Sequence, residues 1–236
     1  MARKMPPGRM QQLVECAMRL FIEQGYARTQ IADVAEAMGI AKGTIYLYVE
    51  SKEALFDLVV RCAAGESPAL APSQLPVATP RAGATLQFIR KRLHDGPQLP
   101  ALTAALNRRT VADPAGELSG VVRELYQTLS GSRLAIKLMD RSGEFHPELA
   151  VLWFKQTRNA LIQTLAEYLE RRIRRGQFRR VPDTLVAARV MMEVVVTWAV
   201  HRHWDRSPQP MEEQAVEDTV VQFIVGGLVN ADVHAE

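Results

Sequence analysis

Apolar residues along the first quarter of the chain recur at helical spacing. Leu13, Ala17, Leu20 and Phe21 share one face of a helix expected over about 9–25, and Gly25 supplies its stop. Ile31, Val34, Ala35 and Met38 follow at i, i+3, i+4 and i+7. This predicts a second helix over about 30–38 that Thr29 caps and Gly39 ends. A short third helix is expected over 42–48, and Ser51 then caps a fourth over 51–66. Glu53 falls in the first turn of the fourth, where a carboxylate suits the helix dipole, and Leu55, Phe56, Val59 and Cys62 face inward.

The remainder is punctuated by proline, which breaks helix interiors. Helices are expected near 81–95, 99–112, 115–130 and 133–142. His146-Pro147 opens a long one to about Arg175, with Leu161, Leu165, Leu169 and Ile173 in steps of four. Pro182-Asp183 opens another to about Trp204, and Met211 starts the last. No sustained period-2 alternation occurs, so the fold class is all-α. Residues 67–80 are rich in Pro and Ser and read as a linker between an N-terminal domain, 1–66, and a C-terminal one, 81–236.

Composition narrows the class. The chain has 236 residues, 47% hydrophobic and 23% charged, enough to bury a core without disulfide or metal support. No apolar run is long enough to cross a membrane. The stretch Met1–Gly8 has basic residues with no apolar core behind them, unlike a secretory signal, so a cytoplasmic protein is expected. Two cysteines, Cys16 and Cys62, exclude a disulfide framework and a thiolate zinc site. Net charge is +3, and residues 1–66 carry eight basic and eight acidic side chains. That balance argues against a protein that coats DNA without sequence preference. The arginines at 171, 172, 174, 175, 179 and 180 read as the solvated end of the long helix, where cations suit the dipole. His201 and His203 point to different helix faces, so with Asp205 and His146 they make no metal site. No Ser/His/Asp, Cys/His, phosphate-loop or paired-carboxylate arrangement is present to support the alternative of a helical ligand-binding enzyme, and no cofactor is expected.

The segment from Thr29 to Tyr48 is the informative one. A helix of eight or nine residues, a glycine-containing turn and a second short helix form a helix-turn-helix. Ala35 is small where the two helices cross, Gly39 lets the chain reverse, and Ile40 and Ile45 fill the space between them. This leaves Lys42, Gly43, Thr44, Tyr46, Leu47 and Tyr48 on the outside of the second helix, able to reach phosphate oxygens or base edges.

Gly-Ile-Ala-Lys-Gly-Thr-Ile-Tyr-Leu-Tyr at 39–48, followed by Ser51-Lys52-Glu53-Ala54-Leu55, resembles the tetracycline-repressor (TetR) family of bacterial regulators. The resemblance covers about 9–60. It implies a homodimeric repressor that binds a palindromic DNA operator and is released by a small, largely apolar effector. It places Lys42, Gly43 and Thr44 in the major groove, Tyr46 and Tyr48 at phosphates or a thymine methyl, and Lys52 and Gln30 at phosphates. Three positions depart from the family pattern: Ala41 stands where a capping Ser is common, Gln30 where Thr is common, and Val49 where an aromatic is common.

Two further groups belong to the C-terminal region. Met139, Trp153, Phe154, Met191, Met192 and Trp198 form a soft apolar set of the kind that packs a core or lines a cavity. The family resemblance implies an effector pocket, and the candidates for its lining are Met139, Trp153, Phe154, Thr157, Met192, Trp198 and His201. Val216, Val220 and Phe223 form one stripe of the last helix, and Gly226-Gly227 follow where glycine weakens a helix unless another approaches closely. Val216, Val220, Phe223 and Gly227 are therefore expected at a dimer interface, as the resemblance also implies.

Overall fold

The computed structural model describes residues 8–69, 71–95, 99–143 and 147–229. Residues 1–7 and His146, which the sequence reading used, lie outside them. The described residues are all-α, as expected. They form α1 (Arg9–Gln24), α2 (Ile31–Ala37), α3 (Lys42–Ile45), α4 (Lys52–Ala63), α5 (Ala84–His94), α6 (Pro100–Asn107), α7 (Pro114–Gly131) and α8 (Arg133–Gly143). The series continues with α9 (Pro147–Ala150), α10 (Asn159–Arg174), α11 (Thr184–Ala199) and α12 (Glu213–Leu228). Among these residues strand-like pairing is confined to two isolated bridges, Val49 with Val77 and Phe178 with Val229. Among the described residues no helix is long and apolar enough to cross a membrane.

The helix ends follow local chemistry. Ser51 Oγ accepts from the Ala54 N–H at 3.1 Å and starts α4, as expected. α4 stops at Ala63, three residues before the expected end, because Gly65 takes φ 95°. Its N–H donates to the Cys62 carbonyl at 3.0 Å, and the Glu66 N–H donates to the Arg61 carbonyl at 3.0 Å, which closes a Schellman motif. Thr29 does not cap α2. Its side chain is buried and its hydroxyl donates to the Gly25 carbonyl at 2.9 Å, while Gln30 is the cap residue and its N–H donates to the Asp33 carboxylate at 2.7 Å. The long helix expected from 146 is helical over 147–174, but Val151–Arg158 is wound wider, as π-helix. α11 ends at Ala199 because Val200 leaves the helical region (φ −122°, ψ −65°), and His201–Trp204 form a 3-10 turn.

The chain divides into two compact units: Met1–Gly96 with Leu134–Trp153, and Pro97–Arg133 with Phe154–Glu236. These do not coincide with the segments expected from the sequence, since 81–96 and 134–153 pack with the N-terminal helices. In the first unit α1 lies against α2 and α4, and Leu13, Ala17, Val34, Ile45 and Leu55 are closed off from solvent. Phe21, Tyr26 and Phe56 form an aromatic cluster, with Phe21 edge-on to Phe56 at 5.5 Å and Tyr26 at 4.7 Å from Phe56. The Arg141 guanidinium donates to the Ile22 and Glu23 carbonyls at 3.0 Å each, satisfying acceptors in the last turn of α1.

The second unit is built on α10 against α11, with α7 and α12 packed beside them. Its centre holds a charge. Arg172, read from the sequence as solvated, is fully buried. Its guanidinium meets the Glu117 carboxylate at 2.7 and 3.1 Å and donates to the Ala105 carbonyl at 2.7 Å and the Arg108 carbonyl at 3.2 Å. The backbone carbonyls at the end of α6 need donors, and the buried guanidinium supplies them while Glu117 balances its charge.

Candidate nucleic-acid interface

The turn between α2 and α3 forms for a backbone reason. Gly39 takes φ 64°. This lets its N–H reach the Glu36 carbonyl at 2.9 Å and the Ile40 N–H reach the Ala35 carbonyl at 3.0 Å, the same Schellman geometry as at Gly65. Ala35 and Ile45 are buried on the inner side, and Ile40 is half-buried between the helices. α3 itself is a single turn, shorter than the expected 42–48, and 46–48 continue as turns, with the Leu47 N–H donating to the Thr44 carbonyl at 3.2 Å.

Ile45 fixes which neighbours face out. Lys42 and Gly43 are exposed, Tyr46 is 43% and Leu47 57% exposed, and Thr44 is half-buried. Tyr48 does not join them. It is 6% exposed, since it follows the buried Ile45 at i+3 and the winding continues, with the Tyr48 and Val49 N–H groups both donating to the Ile45 carbonyl at 2.9 and 3.1 Å. The structure thus gives Tyr48 a packing role and does not set it on the outer side with Tyr46 and Leu47, where it was expected. Neither backbone conformation nor packing within the chain requires glycine at 43, since a Cβ there would point into open space.

Gln30 is exposed at the start of α2. Lys52 is half-buried at the start of α4 and already engaged. Its Nζ donates to the Ala27 carbonyl at 3.3 Å and stands 4.3 Å over the Tyr26 ring. Burial lowers the Lys52 pKa, with Glu53 and Asp33 opposing. The Tyr26 hydroxyl donates to the Glu53 carboxylate at 3.2 Å. Burial, and then Glu53, push the Tyr26 phenol up to about 12, while the Glu53 backbone N–H holds its own carboxyl below the usual range. The loop before α2 is thus tied to α4 through one cation, one ring and one carboxylate.

Each unit also holds a cavity. The first, of about 560 Å³, is lined by Tyr26, Glu53, Phe56, Arg81, Leu86 and Leu149 among others. The second is a groove of about 1040 Å³ on the α11 and α12 surface. Val216, Val220, Phe223 and Gly227 all line it, so the structure brings the four expected interface residues together. Val216 and Val220 form its buried floor, and Phe223 stands 76% exposed at its edge. Val186 and Val190 of α11, which sequence reasoning missed, complete it. The available signal was the composition of α11, where only Arg189 and Glu193 are charged in sixteen residues.

The expected effector set is not gathered in this way. Trp198 lines the groove, but Met139, Trp153, Phe154, Thr157, Met192 and His201 line neither cavity. Met139 and Met192 are closed into core packing, and the Trp153 indole donates to the Asp140 carboxylate at 2.7 Å. Met139 and Trp153 also belong to the first unit and the others to the second. Among the described residues no cluster of His, Cys, Asp or Glu is placed to hold a metal ion.

Comparison with known proteins agrees with this architecture. The family model for bacterial regulatory proteins of the tetR family matches residues 13–59. The model for the AefR-like transcriptional repressor C-terminal domain matches 120–225. Between them they span more than half of the chain, which belongs to the TetR family. The transcriptional repressor KstR2 of Rhodococcus jostii is 39% identical over 54 residues, 23% of this chain and 26% of that protein. The regulator TtgR of Pseudomonas putida is 43% identical over 49 residues, 21% of this chain and 23% of that one. The matched stretches span about a quarter of those relatives' length. The ketosteroid regulator KstR2 of Mycobacterium tuberculosis shares the fold over 96% of this chain and 97% of that one, with a TM-score of 0.54 at 17% identity. PfmR of Thermus thermophilus does so over 91% and 97%, with a TM-score of 0.52 at 23% identity.

Proposed function

We infer that the chain is a cytoplasmic, homodimeric transcriptional repressor that binds a palindromic DNA operator and is released by a small apolar effector. The observation that carries this reading is the outward set Lys42, Gly43, Tyr46 and Leu47 on a helix-turn-helix whose inner side Ile45 closes. Lys42, Thr44 and Tyr46 read or abut bases, and the bare backbone at Gly43 allows close approach. Lys52 and Gln30 fix register through phosphates. The second copy seats on the α11–α12 groove. Exposed, contiguous apolar surface supports an interface there, as does the open space over Gly226 and Gly227. A palindrome follows from the twofold axis of such a dimer. Effector and operator then oppose each other by linkage, each weakening the other by the same factor.

Selection from a random pool of duplex DNA tests the reading. An enriched palindrome is expected. Lys42→Ala and Thr44→Ala should change which bases are preferred, whereas Lys52→Ala should weaken all duplexes alike and reduce the salt dependence by about one counterion. A pool with no enriched sequence, bound only at low salt, would sink it.

A further inference from the structure

Residues 77–79, expected as linker, are tied to the exit of the recognition element. The Val77 N–H donates to the Tyr48 carbonyl at 2.8 Å, and the Glu50 N–H donates back to the Val77 carbonyl at 3.0 Å, so that Val49 and Val77 pair as in a parallel sheet. Two residues on, the Thr79 N–H donates to the Glu50 carboxylate at 2.8 Å and the Thr79 hydroxyl donates to Ser51 Oγ at 2.9 Å. Ser51 Oγ is also the cap of α4. Val77 and Thr79 therefore hold both the end of the recognition element and the start of the next helix.

The local chain needs such support. α3 is one turn long, and a helix that short does not hold itself. Ala41 gives it no side-chain cap. Past Ile45 the carbonyls have no helix to run into, and the strap supplies a donor to one of them. Tyr46 and Leu47, the exposed large apolar side chains of the element, sit between the buried Ile45 and the strapped residue Tyr48. Their direction is set at both ends.

We propose that Val77–Thr79 is a strap that sets the recognition element for sequence-specific DNA binding, with Glu50 and Thr79 as positioning residues. The proposal rests on the DNA-binding reading above. Neither side chain has to touch DNA. A loosened strap leaves the cations in place, so attraction to phosphate persists, while contacts to base edges lose their geometry. The ratio of specific to random affinity is therefore the quantity that moves.

The test uses the full chain with two probes: the duplex that the wild type enriches from a random pool, and a random duplex of equal length. Thr79→Val removes the hydroxyl and keeps the size and the N–H. It should lower affinity for the enriched duplex about 3- to 10-fold, the worth of one hydrogen bond, and leave the random duplex unchanged. Thr79→Ser keeps the hydroxyl and should restore binding. Glu50→Ala removes a negative charge, which alone would strengthen both duplexes. A loss confined to the enriched duplex therefore marks positioning. Wild-type affinity in Thr79→Val, or equal weakening on both duplexes, overturns the proposal, and a lowered melting temperature does not rescue it. If Glu50→Ala does not fold, the Thr79 pair decides alone. If the wild type enriches no sequence, the DNA-binding reading fails first and the strap falls with it.

Discussion

Ile45 and Tyr48 are the inward residues of the recognition element, and what they bury decides what Lys42, Tyr46 and Leu47 present. The outward positions through Leu47 were legible from helical spacing, because the turns that follow α3 keep winding in the helical sense, with the Leu47 N–H donating to the Thr44 carbonyl and the Val49 N–H to the Ile45 carbonyl. Tyr48 was set among them although it stands at i+3 from Ile45, the spacing that shares a helix face with that buried residue. Tyr48→Ala should accordingly cost stability, about 3 kcal/mol for a buried aromatic, rather than only phosphate affinity. Denaturant unfolding checks this, and a wild-type midpoint with weakened DNA binding would return Tyr48 to the surface. Tyr26 offers a second test. Its phenol is raised from 10.0 to about 12, so the fold favours the neutral form and the unfolded chain ionises first. The resulting stability is complete below pH 10 and is lost as pH rises from 10 through about 12. Tyr26→Phe should flatten the fall of melting temperature across that window, and an unchanged slope would contradict the assignment.

At the scale of elements, the glycine stops were readable in advance. Gly25, Gly39 and Gly176 each end a helix at or near the expected place, since positive φ is a demand that one residue type meets best. The strap was not readable. Its bonds run largely through backbone groups, which carry no sequence signature, and its Pro-rich approach has the composition of a connection. Arg172 was misread for a related reason. Spacing placed it at a helix end among five other arginines, but burial depends on Glu117 of α7 and the carbonyls of α6, far away in sequence. Removing Glu117 leaves the buried guanidinium without its carboxylate, so Glu117→Ala should cost about 3–5 kcal/mol, and Arg172→Ala less, since Glu117 keeps Arg108 at 3.3 Å. Replacing both with apolar residues should recover much of this. A single-variant loss under about 1 kcal/mol, the size of an exposed pair, would show the pair to be solvated after all.

At the scale of the whole molecule, the all-α class followed from periodicity and the stripe of α12 located the groove, but the grouping of segments did not follow. Residues 81–96 and 134–153 join the first unit through contacts distant in sequence, which no local pattern encodes. The effector set is spread over the two units for the same reason: Met and Trp mark soft apolar packing without saying which segments it joins. Phe223→Arg tests the dimer. The ring is exposed, so helical content should be kept while sedimentation shows monomers and operator affinity falls. A variant that remains dimeric places the interface elsewhere. The central claim is a twofold-symmetric repressor with one recognition element per subunit. A hydroxyl-radical footprint of the wild-type chain on its enriched duplex tests it most directly. The expected result is two protected patches on one face of the DNA, their centres about one helical turn apart, roughly 34–36 Å. A single patch, or even protection along the whole duplex, would contradict it.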